Sequence, residues 1–458
     1  MVNIPIINPL HWGYHGTVEQ AVSPNGTVNL KLKDSKAGSS NKGSQLHEFI
    51  GEQVPELSNN ARFELNPYLF TGILQTMYLG SADFSKSFPV FYGREIVNYS
   101  DGGISTADWV MAGWKQKYDF AENDAKFNLE QFKKDEESTH PENWPRLHPR
   151  TRFLNDEELK GVHAETKPLI VVLHGLAGGS HEPIIRSLTK NLSEISNGKF
   201  DVVVLNTRGC ARSKITTRKL FYAYATDDIR EFLKREKERH PGRRIFTVGY
   251  SFGGTILGNY LGEDGENAPV DAAAILCCPW DLYTASLKMR DDWWSRKLFS
   301  KNIAQFLTRL VKVNMGELEY TQGKDEPPAY PASIEHPSYT VFTRENLKKA
   351  YSFNSTVEFD DVYTAPCLGY KNALEYYKAG GSINRLPNIK VPTLIINSKD
   401  DPVVGEEAIP VVPAKENVNV TLCITDIGGH LAYLDKKYNS WAGAQIAQFF
   451  NKFEELVQ

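Results

Sequence analysis

The sequence predicts an α/β protein whose mainly parallel sheet is covered by helices on both faces. Three observations predict this class: short, nearly continuous apolar runs recur along the chain, turn residues end each run, and amphipathic stretches separate the runs. Strands buried on both faces have this apolar pattern, and alternation of strands with helices favours parallel pairing. The chain has 458 residues, 41% of them hydrophobic, which is enough to bury a large core.

Composition and charge argue against several classes of protein. With 52 basic and 56 acidic residues, the net charge of -4 indicates no nucleic-acid partner. The five cysteines are odd in number and lack CxxC spacing, so we expect a reducing compartment and neither a disulfide framework nor a zinc site. The sequence shows no secretory signal and no apolar run near the roughly 18 residues of a membrane span. We therefore expect a soluble or peripheral intracellular protein, cytoplasmic by default.

The first part of the chain is predicted to be less regular. Residues 1–89 are expected to form an N-terminal extension, in which the polar, Gly/Ser-rich segment 33–45 indicates a mobile loop. Residues 93–110 alternate apolar and polar side chains around an Asp-Gly-Gly turn, which is typical of a hairpin. Residues 116–166 are dense in Lys, Glu and Asp, so we predict a solvated, partly helical insertion there.

The core is predicted in two parts, residues 90–280 and 389–458. Residues 226–240 carry acidic side chains in the first turn and basic ones toward the end, which is typical of a helix between two strands. Residues 281–388 contain no apolar run of the same kind, so we predict a helical lid or cap inserted after the sixth strand. The predicted core strands after the hairpin are 167–175, 200–209, 243–251, 270–279, 391–401 and 419–430.

One serine stands where a parallel sheet carries its ligand site. Ser251 ends a predicted strand in the sequence VGYSFGG and precedes a predicted helix. The carboxyl ends of parallel strands open onto the ligand crevice. Gly249 and Gly253 flank the serine because side chains at these positions would clash in a sharp strand-to-helix turn. The pattern predicts a nucleophile whose Oγ projects from that turn.

A serine hydroxyl is a weak nucleophile at neutral pH and needs a base that is oriented by an acid. His430 follows the last predicted strand and is the candidate base. Asp401 ends the preceding strand and is the first candidate for the acid, with Asp400 second, and the sequence barely separates the two. The order serine, aspartate, histidine is that of the α/β-hydrolase arrangement.

The tetrahedral oxyanion of acyl transfer needs preorganised hydrogen-bond donors. The backbone amide of Phe252, directly after the serine, is one candidate for this oxyanion hole. The amide of Leu176, after the first long apolar strand, is the other. His174 lies just before this loop, and we interpret it as a structural residue that helps to hold the loop, with a catalytic base as the alternative.

Other patterns carry less weight. A lone G-x-S-x-G is a weak signal, but five features in the required order, each at the end of a predicted strand, favour catalysis. His181 and Glu182 resemble the start of H-E-x-x-H, but Pro183 follows and residue 185 is not histidine, so no metal site is supported. Cys210 is interpreted as a buried thiol rather than a second nucleophile. No cofactor is called for.

Longer motifs extend from about residue 60 to 435. They are Asn66-Pro67-Tyr68-Leu69, Leu74-Gln75-Thr76, HGLAGGSHEPIIRSL, NTRGCARSKITT, GYSFGGTILGNYLG, NSKDDPVV and GGHLAY. In these stretches the chain resembles the α/β-hydrolase 4 family, and within it the fungal medium-chain fatty acid ethyl ester synthase/esterases. The resemblance covers most of the chain.

The resemblance implies a fold, a triad and a reaction. It implies the α/β-hydrolase fold, with Ser251 as nucleophile and Asp401 and His430 completing the triad. The implied substrates are medium-chain acyl-CoA or acyl esters: attack of ethanol on one acyl-enzyme gives an ethyl ester, and attack of water gives a fatty acid. Related proteins also carry an H-x4-D motif, which His430 and Asp435 match, but we interpret Asp435 as a surface or capping residue.

The inserted segment contains one amphipathic stretch, residues 291–313. We interpret it as a lid helix or ordinary packing, and the alternative is a basic amphipathic helix on a lipid surface. The family's lipid substrates make a lipid droplet or the mitochondrial outer membrane the partners in that alternative. Its apolar positions are Phe299, Ile303, Phe306, Leu307 and Leu310, opposite Lys297, Lys301, Thr308 and Lys312.

Two rival functions stay open at this point. The first is a plain lipase or esterase of the same fold that acts on monoacylglycerol or phospholipid, with water as the acceptor. The second is a non-catalytic scaffold that binds lipid or protein. The intact set of nucleophile, base, acid and donors argues against the scaffold.

Overall fold

The computed structural model describes residues 13–33 and 43–458, and eleven of its strands form one mixed sheet. The centre of the predicted mobile loop, residues 34–42, lies outside the described residues, as do residues 1–12. The strands are β1 (His15–Ala21), β2 (Asn29–Leu30), β3 (Ser44–Gln45), β4 (Arg62–Glu64), β5 (Tyr92–Asn98), β6 (Ile104–Val110), β7 (Thr151–Phe153), β8 (Leu169–Leu173), β9 (Asp201–Asn206), β10 (Ile245–Tyr250), β11 (Ala272–Leu276), β12 (Thr393–Ser398) and β13 (Val420–Thr425).

Helices precede, connect and follow the sheet strands. They are α1 (Leu46–Gln53), α2 (Gly72–Ser81), α3 (Trp114–Lys117), α4 (Leu129–Thr139), α5 (Asp156–Ala164), α6 (Pro183–Ser196), α7 (Asp227–Arg239), α8 (Phe252–Asp264), α9 (Leu282–Asp291), α10 (Trp293–Ser295), α11 (Lys301–Val313), α12 (Met315–Leu318), α13 (Arg344–Ala350), α14 (Thr356–Val362), α15 (Thr364–Cys367), α16 (Ala373–Gly380), α17 (Val411–Glu416) and α18 (Trp441–Leu456).

The strand order in the large sheet is β4, β1, β13, β12, β11, β10, β8, β9, β6, β5, β7. The six strands from β13 to β9 pair in parallel, and they are the six apolar runs predicted from the sequence. The predicted hairpin is also present, since β5 pairs antiparallel with β6, which adds to β9. The predicted mainly parallel α/β fold is therefore confirmed.

Helices cover both faces of the sheet. On one face α6 and α18 contribute Leu188 and Phe450 to a core that includes Val172 of β8. On the other face α7 and α8 contribute Phe232 and Leu257 to a second core. Burial on both faces explains why the central strands are apolar along their whole length.

Two segments differ from the sequence-based expectation. Residues 13–89, predicted as an extension, supply β1, which pairs antiparallel with β13, and β4, which pairs with β1. Residues 116–166, predicted as solvated, are partly helical as expected, but they also supply β7 at the far edge of the sheet. Arg152 of β7 is buried, and its Nη2 lies 2.5 Å from Glu158 Oε1. The strand was missed because its charged residue is buried as an ion pair, which the charged composition of the segment does not reveal.

Residues 281–388 hold helices α9 to α16 and, in this fully described range, no strand. A single π-helical turn, Arg296–Ser300, joins α10 to α11. The segment packs its own apolar residues together, among them Leu307, Phe342 and Phe359. Of the helices in the described ranges, none has both the length and the hydrophobicity that crossing a membrane requires.

A buried ionic network links the hairpin to the loops that follow β8 and β9. The Arg94 guanidinium of β5 donates to both carboxylate oxygens of Asp108 in β6, at 2.7 Å each. Ser180 and Asn206 also donate to Asp108 Oδ2, at 2.5 and 2.9 Å. Although burial alone would raise the pKa of Asp108, the Arg94 charge and these donors hold that pKa below its ordinary value.

Candidate active site

Ser251 lies in a strained turn between β10 and α8. Its φ angle is +50°, a backbone conformation that L residues rarely adopt, and its amide donates to the Leu276 carbonyl at 2.9 Å. A Cβ at Gly249 would lie 2.6 Å from the Gly254 Cα, and a Cβ at Gly253 would lie 2.4 Å from the His174 carbonyl oxygen. Both positions therefore require glycine, because backbone from the turn or from the neighbouring strand end fills the space.

The structure brings Ser251, His430 and Asp401 together in one hydrogen-bonded chain. Ser251 Oγ lies 2.9 Å from His430 Nε2, and His430 Nδ1 lies 2.8 Å from Asp401 Oδ2. Since a carboxylate only accepts, Nδ1 carries the proton and Nε2 is left to accept from the serine hydroxyl. The Asp401 side chain is fully buried and that of His430 is 12% exposed. This geometry can deprotonate the serine during nucleophilic attack.

The two candidate acids have different partners. Asp401 Oδ1 accepts from the amides of Val403 and Val404, at 2.8 and 2.9 Å, while its Oδ2 faces the imidazole. Asp400 Oδ1 instead accepts from the Ser398 hydroxyl and the Gly429 amide. Its Oδ2 is buried without a partner, and burial raises the pKa of Asp400 to about 7. The carboxylate on His430 is thus Asp401, not Asp400.

The two candidate oxyanion donors lie beside the serine. Gly175 follows β8, and a Cβ added there would lie 3.7 Å from Ser251 Cβ, so the loop that carries Leu176 adjoins the nucleophile. Leu176 and Phe252 both line the same cavity as Ser251. Within the described ranges, neither amide donates to a backbone acceptor outside the regular helices and strands. Both amides are available to an oxyanion.

His174 hydrogen-bonds the loop after β8 and the loop after β9. Its Nδ1 donates to the Gly175 carbonyl at 2.7 Å, and its Nε2 accepts from the Thr207 amide at 3.1 Å. Burial lowers the pKa of His174 to about 4, so the ring is neutral at physiological pH. The ring holds the loop after β8 against the loop after β9, which is the structural role expected for it.

Comparisons with known proteins agree with this architecture. The family model for the alpha/beta hydrolase fold matches residues 168–437. Medium-chain fatty acid ethyl ester synthase/esterase 2 of Saccharomyces cerevisiae is 60% identical over 453 residues, covering 99% of this chain and 98% of that protein. The chain belongs to the α/β-hydrolase family. The resemblance inferred from the motifs is confirmed.

Two further comparisons give lower sequence identity to this hydrolase. A monoacylglycerol lipase of Saccharomyces cerevisiae is 29% identical, covering 95% of this chain and 90% of the lipase. A solved esterase structure from Pyrococcus furiosus aligns with 82% of this chain and 94% of its own, with a TM-score of 0.43 and 13% identity.

Sequence reasoning missed the contribution of α2 to the site of this hydrolase. Thr76 Oγ1 accepts from the backbone amide of His430 at 2.8 Å, and Gln75 Oε1 accepts from the amide of Leu434 at 2.8 Å. A Cβ at Gly72 would lie 2.1 Å from the Asp400 carbonyl oxygen, so α2 packs directly on the turn before Asp401. The Leu74-Gln75-Thr76 motif was the available signal, but nothing local in it indicates a contact with His430.

Glu182 is a second residue that was weighed only as part of a metal motif. One of its carboxyl oxygens is buried without a hydrogen-bond partner, and a Cβ at Gly178 would lie 2.4 Å from that carboxyl group. Burial, opposed by the amides of Gly179 and Gly175, raises the pKa of Glu182 to about 7. The side chain therefore packs, partly protonated, against the loop that carries the candidate oxyanion donor Leu176.

Two cysteines and Asp435 have structural contacts. The Cys277 sulfur accepts from the amide of Leu431, the residue after His430, at 3.3 Å.

Burial raises the pKa of the Cys210 thiol to about 12, so it stays protonated, as expected. Asp435 Oδ1 accepts from the amides of Lys437 and Asn439, so it caps a turn before α18 and not the helix itself.

One cluster among the described residues brings potential metal ligands together: atoms of Cys277, Asp401 and His430 lie within 4.8 Å of one another. Asp401 and His430 belong to the hydrogen-bonded chain on Ser251, and the Cys277 sulfur accepts from the amide next to His430. His430 Nδ1 and Asp401 Oδ2 already hydrogen-bond each other.

A cavity of about 1490 Å³ opens beside Ser251. The predicted apolar stripe of residues 291–313 faces it, since all five of its apolar positions line the wall. The predicted polar side of that helix is wrong at Thr308, which is 1% exposed. Its hydroxyl donates to the Ala304 carbonyl at 2.9 Å, so burial leaves no donor unpaired. Phe306 is 59% exposed at the edge of the cavity.

Exchange of each aspartate for asparagine should separate the two acids. Asp401→Asn leaves the imidazole without an acceptor for Nδ1, and we expect kcat for ester hydrolysis to fall by about 10⁴-fold. Asp400→Asn keeps an oxygen for Ser398 and Gly429, and we expect a loss of less than about tenfold. Steady-state kinetics on p-nitrophenyl octanoate measure both, with circular dichroism as the folding control. The assignment is wrong if the two losses are equal or reversed.

The raised pKa of Asp400 also predicts a pH dependence of stability. The folded pKa of about 7 lies above the ordinary value of 3.8, so the folded state binds this proton more tightly. The contribution of this proton to the free energy of unfolding is complete below about pH 4 and is lost as the pH rises to about 7. Relative to Asp400→Asn, wild type should lose up to roughly 4 kcal/mol over this range.

Thermal unfolding of both proteins from pH 4 to pH 9 measures this difference, and subtraction cancels the titration of other groups, including Glu182. If the free energies of unfolding of wild type and Asp400→Asn differ by the same amount at every pH, the pKa of Asp400 is not raised by folding.

Proposed function

We propose that this hydrolase transfers medium-chain acyl groups from acyl-CoA to ethanol and hydrolyses the resulting ethyl esters to fatty acid and ethanol. The observation that carries the proposal is the hydrogen-bonded chain of Ser251, His430 and Asp401 on the wall of a large cavity with an apolar side. The 60% identity to an ethyl ester synthase/esterase supports the choice of acyl chain and acceptor.

In the acylation step, Ser251 Oγ attacks the thioester or ester carbonyl carbon while His430 Nε2 takes the hydroxyl proton. Asp401 stabilises the imidazolium that forms, because it accepts from Nδ1 in a fully buried site. The amides of Leu176 and Phe252 donate to the oxyanion. The intermediate then collapses, the bond to sulfur or oxygen breaks, and His430 returns the proton to the leaving thiol or alcohol.

In the deacylation step, a second hydroxyl compound enters next to His430. His430 takes its proton, its oxygen attacks the acyl carbon, and the bond to Ser251 Oγ breaks as the serine regains a proton. Ethanol yields the ethyl ester, and water yields the fatty acid. Because both acceptors use the same base, their balance depends on which molecule occupies that position.

The apolar positions of the 291–313 segment supply a surface for the acyl chain. Phe299, Ile303 and Leu310 border the cavity that holds Ser251. Residues 281–388 act in this proposal as a lid, since they close one side of the acyl site. Apolar side chains on this side bind a hydrocarbon chain by excluding water, at about 25 cal/mol for each Å² buried.

Peripheral contact with a lipid surface is a further part of the proposal. Phe306 and Val313 of α11 are 59% and 65% exposed, and Trp293 of α10 is 40% exposed. Lys301 and Lys312 are exposed on the same helix. Exposed apolar and basic side chains on one helix favour binding to an anionic lipid surface, such as that of a lipid droplet or the mitochondrial outer membrane.

Product analysis tests the reaction. Wild type incubated with octanoyl-CoA should yield octanoic acid alone without ethanol, and ethyl octanoate in addition when ethanol is present. Ser251→Ala should lose both products, because one acyl-enzyme leads to both. Mass spectrometry quantifies the two products in the same sample.

The rival functions have distinct outcomes in this test. Acid without ethyl ester at every ethanol concentration would indicate a plain esterase or lipase, which the 29% identity to a monoacylglycerol lipase keeps as the second candidate. Failure of a fluorophosphonate to label Ser251 would indicate the non-catalytic scaffold. Activity that survives in Ser251→Ala would remove Ser251 as nucleophile.

Vesicle flotation tests the lipid contact. Wild type should float with vesicles that contain anionic phospholipid, and Phe306→Asp should reduce the bound fraction several-fold, because a charge there opposes insertion. Tyr330→Asp is the matched control, since Tyr330 is 61% exposed but does not line the cavity. Equal flotation of the two variants would contradict a contact through α11.

A further inference from the structure

The cavity that holds Ser251 exceeds the needs of an acyl chain. Its volume of about 1490 Å³ is above the roughly 300–1,000 Å³ of ordinary small-molecule sites. Besides the triad and the apolar positions, its wall includes basic residues from three separate segments of the chain. These are Arg146, Arg212, Lys214 and Arg309.

The three arginines of this group have no carboxylate partner. Across residues 13–33 and 43–458, no ion pair includes Arg146, Arg212 or Arg309. Arg208 and Arg218, close to Arg212 in the chain, differ in this respect. Arg208 lies 2.6 Å from Asp228, and Arg218 lies 2.8 Å from Asp325. Structural arginines in this region are therefore neutralised, whereas those that border the cavity are not.

The backbone holds Arg212 in place at a cost. Ala211 and Arg212 have φ angles of +51° and +62°, a conformation that costs an L residue roughly 1–2 kcal/mol. The Arg94 guanidinium donates to the Ala211 carbonyl at 2.8 Å, and Arg212 Nη1 donates to the carbonyls of Arg146 and Leu147 at 2.7 and 2.9 Å. These bonds hold the Arg212 guanidinium against the backbone of the segment that carries Arg146, and backbone strain of this kind is typical of functional sites.

The third arginine is held near the same loop. Asn314 Nδ2, at the end of α11, donates to the Gly209 carbonyl at 3.3 Å, so the helix that carries Arg309 is tied to the loop that carries Arg212. Burial and then the charges of Arg146, Arg309 and Arg94 lower the pKa of Arg212. Like charges that are held together without a counter-ion favour the binding of an anion.

Carboxylates on the cavity wall do not cancel this charge. Asp360 Oδ2 accepts from the Tyr377 hydroxyl at 2.5 Å, and Glu182 packs against Gly178 in the loop that carries Leu176. Glu317 of α12 is the other carboxylate that borders the cavity. The three arginines and Lys214 outnumber these three carboxylates on the wall.

We propose that Arg146, Arg212 and Arg309 form a subsite for phosphate groups of the acyl donor, so that the thiol carrier binds in the same cavity as the acyl chain. Guanidinium groups bind phosphate oxygens through paired N–H donors. Coenzyme A carries a pyrophosphate and a 3′-phosphate, which match several arginines better than a single headgroup phosphate does. The choice of coenzyme A as carrier rests on the proposed function, whereas the phosphate subsite rests on the arginines.

Ligand binding to Ser251→Ala protein tests the subsite without turnover. Titration calorimetry with octanoyl-CoA should give a Kd that rises about three- to tenfold in Arg309→Met and in Arg146→Met, each in the Ser251→Ala background. The ratio of this Kd to that for S-octanoyl-N-acetylcysteamine, a thioester without phosphate, should rise by the same factor. Arg62→Met, an exposed arginine of β4 that does not border the cavity, should leave the ratio unchanged.

Each other outcome overturns part of the proposal. The phosphate subsite is overturned if the Arg146→Met, Arg309→Met double variant binds octanoyl-CoA with an unchanged Kd. It is also overturned if the Kd values for both thioesters rise by the same factor. If the arginine variants bind 1-octanoyl lysophosphatidate more weakly but bind octanoyl-CoA as wild type does, the subsite binds a lipid headgroup phosphate, and coenzyme A is not its ligand. Failure of the proposed function looks different: octanoyl-CoA binding depends on the arginines, yet wild type forms no ethyl octanoate.

Discussion

The buried charge of Asp108 ties together the segments on which the site depends. A carboxylate without solvent must satisfy its oxygens with protein donors, and Asp108 does so with Arg94, Ser180 and Asn206. Ser180 belongs to the loop that carries the candidate oxyanion donor Leu176. The Arg94 guanidinium also donates to the Ala211 carbonyl in the loop after β9. The loop after β8, which carries Leu176, and the loop after β9, which carries Arg212, are therefore held by the same buried ion pair, and a shift of either loop would break these bonds.

The active site shows how neighbouring groups of the same chemistry acquire different properties. Asp401 accepts hydrogen bonds from two backbone amides and faces the Nδ1 of the imidazole, so each of its oxygens has a partner. Asp400, next in the chain, leaves one oxygen without a partner and has a raised pKa. One of these adjacent carboxyl groups is thus the hydrogen-bond partner of His430 and the other has only structural contacts, because the turn after β12 directs them to different surroundings.

Local signals account for what the sequence predicted. The apolar runs identified the parallel strands, and the glycines around Ser251 indicated the turn, because burial and close backbone approach act on residues that are neighbours in the chain. Edge strands such as β4 and β7 have three residues each and carry charged side chains, so they leave no apolar run. The contact of Thr76 with His430 joins residues 354 positions apart, and no local pattern records it. The sequence favoured Asp401 but barely separated it from Asp400 for the same reason, since only the folded turn distinguishes them.

The pairing of β1 with β13 governs when this protein becomes complete during synthesis. Val18 pairs with Thr425, so about 400 residues must be made after the first strand before its partner exists. At about 5–20 residues per second, that strand waits roughly 20–80 s on the ribosome with its edge unpaired. An exposed strand edge over that interval is a site for aggregation, which a chaperone would have to cover. Incomplete chains also lack the candidate base, because His430 follows β13 in the chain and is made after it.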